Sequence, residues 1–156
     1  VAPMRVPKAL EEEHEELMGS LRRYSLEPGK LGERVRDVLE ALEPHFEKEE
    51  KLAMPLLGVI HDLFEEKAEG LDELVECYRG MKEGHRVMLK EHEEIVRRVK
   101  RAEEEADLQG RRDVVERLRS LMHHAKVEED VLYPAALLAG QAAQRLLGRR
   151  SEGRLR

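Results

Sequence analysis

The sequence predicts an all-α protein, an antiparallel up-down-up-down four-helix bundle with short additional helices after Pro55 and after Pro134. Three observations carry this. Apolar residues recur along four stretches at alternating spacings of four and three, the pattern of one buried helical stripe. No run of β-branched residues alternates with period two, so strand signals are absent. The 156 residues are 40% charged, 40% apolar and 3% aromatic, which suits long exposed helices better than sheets.

The first helix is expected from Pro7, whose missing N–H costs nothing in a first turn. It runs to about Tyr24, with Leu10, His14, Leu17, Leu21 and Tyr24 on its stripe. Pro28-Gly29 reads as a turn. The second helix starts near Lys30 and carries Leu31, Val35, Val38, Leu42, His45, Glu49 and Leu52. Pro44 lies inside it, cannot donate to the carbonyl of Glu40, and is expected to kink the helix before His45. Pro55 ends or bends the pattern, and a short apolar helix follows through Leu56, Leu57, Ile60 and Phe64.

Residues 67–70 read as loop. A helical pattern resumes at Leu71, weakened by Gly80 and Gly84, and the third long helix carries Met81, His85, Met88, His92, Ile95, Val99 and Ala102. Gln109-Gly110 stops it. The fourth starts near Arg111, with Val114, Leu118, Leu121, His124 (or Ala125), Glu128 and Val131 facing inward until Pro134 breaks it. A last apolar helix over 135–147, through Leu137, Leu138, Ala142, Leu146 and Leu147, is expected to cover one end of the bundle. The length suits a single domain over residues 1–148, with a basic tail at 149–156 read as a frayed, solubilising end.

Bulk properties exclude several classes. The net charge of −6 argues against general nucleic-acid binding. No apolar run approaches the roughly 20 residues that span a bilayer, so no membrane partner is expected. Residues 1–8 lack the apolar core of a signal peptide. Cys77 is the single cysteine, which forbids an internal disulfide and fits a reducing cytoplasm. The chain lacks Asn, Thr and Trp and is rich in Glu and Arg, a composition resembling that of heat-adapted proteins.

The chain also repeats itself. His45-Phe-Glu-Lys-Glu49-Glu50-Lys-Leu-Ala-Met-Pro55 and His124-Ala-Lys-Val-Glu128-Glu129-Asp-Val-Leu-Tyr-Pro134 share the pattern H-x-x-x-E-E-x-x-x-x-P, 79 residues apart. Upstream of each lies a second shared string, Glu13-His14-Glu15-Glu16 and Glu91-His92-Glu93-Glu94, offset by 78 residues. A duplicated helical hairpin explains both.

The repeat puts polar groups where a bundle wants apolar ones. His14, His45, Glu49, His92, His124 and Glu128 all fall on the inward stripes, and each His-x-x-x-Glu pair shares one helical face. Six such buried groups are costly unless they are paired or bind metal. A single stripe histidine is most often a satisfied core residue, and a lone His-x-x-x-Glu on a Glu-rich helix means little. Two copies at equal offset, each with a matching upstream histidine, reverse that balance.

Four imidazoles and two carboxylates from four helices suit two metals, with each carboxylate able to bridge. Nitrogen and oxygen donors without thiolate favour iron over manganese or zinc. His85, seven residues before His92, lies about 10.5 Å along the same stripe; it is expected as an extra ligand or a hydrogen-bond partner of one. Glu50 and Glu129 lie off the stripe and suit hydrogen bonds to ligands. His61 and His123 are expected at the surface. Zinc-peptidase H-E-x-x-H fails, because Met18 and Val96 stand four residues after His14 and His92. The paired Glu-x-x-His of ferritin-like sites also fails, since only Glu11-x-x-His14 fits.

Over roughly residues 8–136, these motifs resemble those of the hemerythrin-like, HHE cation-binding family. The resemblance implies a four-helix bundle around a non-haem di-iron centre. It implies that His14 and His45 serve one iron, His92 and His124 the other, and that Glu49 and Glu128 bridge them, with an oxo or hydroxo bridge between the irons. Oxygen-carrying members have His-x-x-x-His on the third helix, but Met88 stands four residues before His92 here. A fifth imidazole is missing, and dioxygen carriage of the familiar kind is not implied. The expected partner is instead a small ligand (dioxygen, nitric oxide or peroxide), bound or reduced, with an unidentified redox partner. The alternatives are iron storage, delivery or sensing without turnover, and a metal-free bundle used for interaction.

Overall fold

The computed structural model describes residues 4–154 and contains helices and turns, with no strand among the described residues. In chain order the helices are α1 (Lys8–Ser25), α2 (Lys30–Leu52), α3 (Met54–Leu57), α4 (Ile60–Phe64), α5 (Leu71–Leu108), α6 (Arg112–Val127) and α7 (Tyr133–Arg154). A five-residue π turn, Glu128–Leu132, joins α6 to α7. Helices α1, α2, α5 and α6 form the expected bundle, with α2 packed along α5 and α1 closing the ring against α6.

The buried apolar residues form two clusters. One joins α1, α2, the second half of α5 and α6, through Leu21, Val35, Leu42, Val99, Ala106 and Leu118. The other joins α3, α4, the first half of α5 and α7, through Leu56, Leu63, Leu74, Met81, Met88 and Tyr133. Along α2 the first cluster ends at Phe46 and the second begins at Ala53. Along α5 the break falls between Met88 and Ile95. The buried histidines and carboxylates occupy this intervening layer.

Three elements depart from the sequence reading. The glycines expected to weaken the third helix do not interrupt it, since α5 is continuous over 38 residues. A Cβ on Gly80 would stand 2.6 Å from Leu52 Cδ2, so its absence lets the end of α2 approach α5. The apolar stretch after Pro55 is two short helices rather than one, and Phe64 at its end is exposed.

The last helix is neither short nor separate. It begins at Tyr133 and continues to Arg154, past the expected end at Leu147. Its buried face consists of small residues, Ala136, Ala139, Gly140 and Ala143, with Leu146, while Leu138 is exposed. A Cβ on Gly140 would meet the Tyr78 ring at 2.2 Å, so α7 lies close against α5. Its basic end is docked rather than frayed: Arg150 donates to the carbonyl oxygens of Ala68 and Glu66, both at 2.7 Å, and Arg149 pairs with Glu66. Residues 155 and 156 of the expected tail lie outside the described residues.

Pro134 does not break the chain, because the π turn precedes it. In an α-helix its ring would clash with the carbonyl four residues back, and it has no N–H to donate. The wider turn carries one extra residue, with the Tyr133 N–H bonded to the Glu128 carbonyl. The extra residue also shifts the stripe. Val131, expected to face inward, is 56% exposed, and Tyr133 is buried in its place.

Candidate metal centre

Each polar group reaches the middle of the bundle because its helix carries it on the buried stripe. His14 comes from α1, His45 and Glu49 from α2, His92 from α5, and His124 from α6. Glu128 comes from the start of the π turn. All six are at most 3% exposed. A buried leucine contributes about 1.5–3 kcal/mol, whereas an unpaired buried charge costs more than one such residue returns. This layer therefore needs compensation from something other than packing.

The six residues fall into two groups of four, each able to hold one metal ion: His14, Glu49, His124 and Glu128, and His45, Glu49, His92 and Glu128. In the first, His14 Nε2 lies 3.0 Å from His124 Nε2, and His124 Nε2 lies 2.6 Å from Glu128 Oε1. In the second, His45 Nε2 lies 2.9 Å from Glu49 Oε1, and His92 Nε2 lies 3.2 Å from Glu128 Oε2. The carboxylates divide their oxygens. Glu49 turns Oε1 to His45 and Oε2 toward His14, at 3.5 Å; Glu128 turns Oε1 to His14 and His124 and Oε2 to His92.

The histidine pairing differs from the one the family resemblance implied. His14 shares a group with His124, not His45, and His45 shares one with His92. Each group thus takes one imidazole from each half of the repeat. Helix packing permits this, since α2 lies along α5 and α1 meets α6, but α1 also packs along α2, so the pairing is fixed by where each histidine sits on its helix and not by which helices touch.

The outward nitrogens have carboxylate neighbours. His45 Nδ1 lies 2.8 Å from Glu91, His92 Nδ1 2.9 Å from Glu129, and His124 Nδ1 3.2 Å from Glu13. His14 Nδ1 stands 3.7 Å from Glu50, within ion-pair reach but without a hydrogen bond. The sequence pointed to Glu50 and Glu129 for this role. Glu13 and Glu91 were missed, although each directly precedes a stripe histidine in both copies of the repeat. Phe46 stacks on the His14 ring at 3.8 Å between centroids.

Tyr133 was also missed. Its hydroxyl is buried beside Glu49, donating to Oε1, and lies 3.1 Å from His92 Nε2 and 3.3 Å from His45 Nε2. His85, expected as a further ligand or partner, belongs to neither group and packs edge-on against the Tyr133 ring. Met88, in the place of the missing imidazole, is fully buried in the second apolar cluster. His61 and His123 are exposed, as expected.

Without a cation, protons balance the charge. Burial opposes charging His92, but the Glu128 and Glu49 carboxylates outweigh it and push its pKa up to about 10. His45 and His124 are raised for the same reason, by Glu49 and Glu128 respectively, against burial. Burial would raise the Glu128 carboxyl, yet His124, His14 and His92 hold it well below the usual range. Burial, and then the negative charge of Glu49 and Glu128, pushes the Tyr133 phenol upward. A cation in the layer would reverse that sign.

The donors fit a metal. Glu49 Oε2 and Glu128 Oε2 are buried with no hydrogen-bond partner, and such orphaned carboxylate oxygens are rare in a finished core. Two imidazole Nε2 atoms at 3.0 Å repel unless a proton or a cation stands between them. Imidazole and carboxylate without thiolate is a donor set for iron, manganese or zinc.

Fold and site together define a helical-bundle protein with a buried histidine–carboxylate cation site. Residues 5–136 match the family model of the hemerythrin HHE cation-binding domain, and the chain belongs to that family. No curated protein and no solved structure gives a match.

Proposed function

We propose that the chain is a non-haem di-iron protein that binds or reacts with a small ligand: dioxygen, nitric oxide or peroxide. One observation carries the reading. Glu49 and Glu128 each offer one oxygen to each of two histidine pairs, which is the arrangement of two bridging carboxylates. The ligands we propose are His14, His45, Glu49, His92, His124 and Glu128, the residues that the two candidate groups bring together. A bound iron pair would supply electrons and a coordination position for the small ligand.

The chain's own residues do the rest. The four imidazoles present Nε2 inward, and the carboxylates at Nδ1 of His45, His92 and His124 fix their ring orientation. The apolar clusters on either side exclude water from the layer. A cleft between α1 and α2, lined by His14, Met18, Phe46, Glu47 and Glu50, gives access from the surface. Arg22 in the same cleft already pairs with Glu43, but Glu15, Glu47 and Glu50 leave its lining net negative, which also favours the second reading, iron uptake and release without turnover, because carboxylates attract cations.

Metal analysis of the protein as isolated, with its optical spectrum, tests the centre. Two irons per chain with near-ultraviolet absorption from a bridged diferric pair are expected; a chain that retains no metal when supplied with ferrous iron overturns it. Stopped-flow mixing of the reduced protein with oxygen, peroxide or nitric oxide separates the two readings. Turnover or a reversible adduct supports the first, and stoichiometric oxidation alone supports the second.

A further inference from the structure

The repeat builds the two histidine groups from matching residues, but one matched pair differs in donor chemistry. The 79-residue offset that carries His45 onto His124 and Glu49 onto Glu128 carries Met54 onto Tyr133. Both are buried. Only Tyr133 brings an oxygen.

That oxygen sits among the donor atoms of the His45–His92 group. It touches Glu49 Oε1 and stands 3.1 and 3.3 Å from the Nε2 atoms of His92 and His45. Donors held at roughly 2.1 Å by one metal stand about 3.0 Å apart along an octahedral edge and about 3.4 Å along a tetrahedral one. The recognised donors of the same group obey this spacing: His45 Nε2 and Glu49 Oε1 are 2.9 Å apart, and His92 Nε2 and Glu128 Oε2 3.2 Å. The hydroxyl's distances to the two imidazoles are those of a further ligand, and its closer contact with Glu49 is a hydrogen bond whose proton a cation would displace. A small cavity beside His14 is lined by Leu10, Met54, Leu57 and Leu132 together with Glu49, Glu128 and Tyr133 itself. Apart from His14 and the two glutamates, Tyr133 is the one side chain there that brings an oxygen or nitrogen, and its hydroxyl's imidazole contacts are to His45 and His92, not His14.

We infer that Tyr133 is a seventh protein ligand, donating its phenolate oxygen to the metal held by His45 and His92. The position for an external ligand then belongs to the metal held by His14 and His124. Binding breaks the phenol O–H bond, forms a metal–oxygen bond and releases one proton to the buffer, the usual exchange of ligand protons for a cation. The π turn is what makes this ligation geometrically available, since without its extra residue Tyr133 would not lie on the buried stripe. The inference rests on the di-metal reading above.

Visible absorption and resonance Raman of the ferric-loaded protein test it. A phenolate bound to ferric iron gives a visible charge-transfer band whose excitation enhances tyrosinate ring modes. These should appear in the wild type, shift when the protein is made with ring-deuterated tyrosine, and vanish in Tyr133→Phe while the iron content holds. The other two tyrosines stand elsewhere, Tyr24 beneath Arg111 and Tyr78 beneath Lys82. Two irons without tyrosinate modes in the wild type overturn the ligation and leave the di-iron reading standing. A band that persists in Tyr133→Phe also overturns it. Failure of the wild type to hold iron removes both. The labelled wild type decides the matter even where the variant does not fold.

Discussion

The Nδ1 nitrogen of His45 lies 2.8 Å from a carboxylate oxygen of Glu91, the residue directly before His92 in the sequence. The mirrored contact joins His124 to Glu13, directly before His14, at 3.2 Å. Each half of the chain thereby orients a histidine of the other. Such outer carboxylates tune metal affinity by about 10- to 100-fold. Glu91→Gln keeps the shape and loses the charge, and should weaken metal binding by that factor with the helix content unchanged. Competition titration against a chelator measures it, and equal affinities would show that Glu91 serves only the Lys48 pair it also makes.

Removing the shared carboxylates should be far more damaging. Glu49→Ala/Glu128→Ala is expected to lose bound metal altogether. In the metal-free protein, Glu128→Ala alone strips His124, His14 and His92 of their common partner, and breaking a buried ion pair costs about 3–5 kcal/mol. Metal analysis and chemical denaturation read the two effects separately. A fully loaded double variant would remove both residues from the ligand set.

The metal-free protein should have an unusual pH response. His92 has a folded pKa near 10 against an ordinary 6.5, so its contribution is complete below pH 6.5 and lost as pH rises toward 10. Glu128 is held below its ordinary 4.5, so its contribution is present above that pH and lost as the medium becomes more acidic. With chelator present, the melting temperature should peak in mildly acidic buffer and fall toward alkaline pH. With metal the alkaline fall should shrink, because the metal needs the imidazoles unprotonated. Parallel melts with and without chelator check this; identical profiles would show that the cation does not replace those protons.

Gly140 lies where α7 meets Tyr78. Gly140→Ala puts a methyl 2.2 Å from the ring, so helix or ring must move. Overpacking of this kind costs about 1–3 kcal/mol, or a fall in melting temperature of roughly 2–4 °C per kcal/mol for a chain of this size. Gly148→Ala, with open space around the added methyl, should cost nothing by this route. Thermal melts of the pair distinguish contact from helix propensity.

Much of this was legible in the sequence because one signal served both fold and site. The four-three stripe placed His14, His45, Glu49, His92, His124 and Glu128 inward, and all six are buried. The histidine pairing was not legible, because stripe positions say which way a residue faces and not which helix it faces. Tyr133 was hidden by counting. The α-helical period beyond Glu128 leads to Val131, and the π turn displaces the stripe onto Tyr133. Pro134 was the available signal: a proline following a strongly helical pattern can mark a widened turn as well as an end. The small-residue face of α7 was misjudged because its leucines drew attention from Ala136, Ala139 and Ala143, which are the buried ones.

Because each four-residue group borrows one imidazole from either side of the 67–70 connection, neither hairpin owns a complete cage. Two fragments severed there would each carry two of the four buried site histidines and one of the two glutamates common to both groups, and only their reunion would restore both sets. The cation would then act as a rivet between interlocked pieces, making reassembly of the cut chain dependent on the ion.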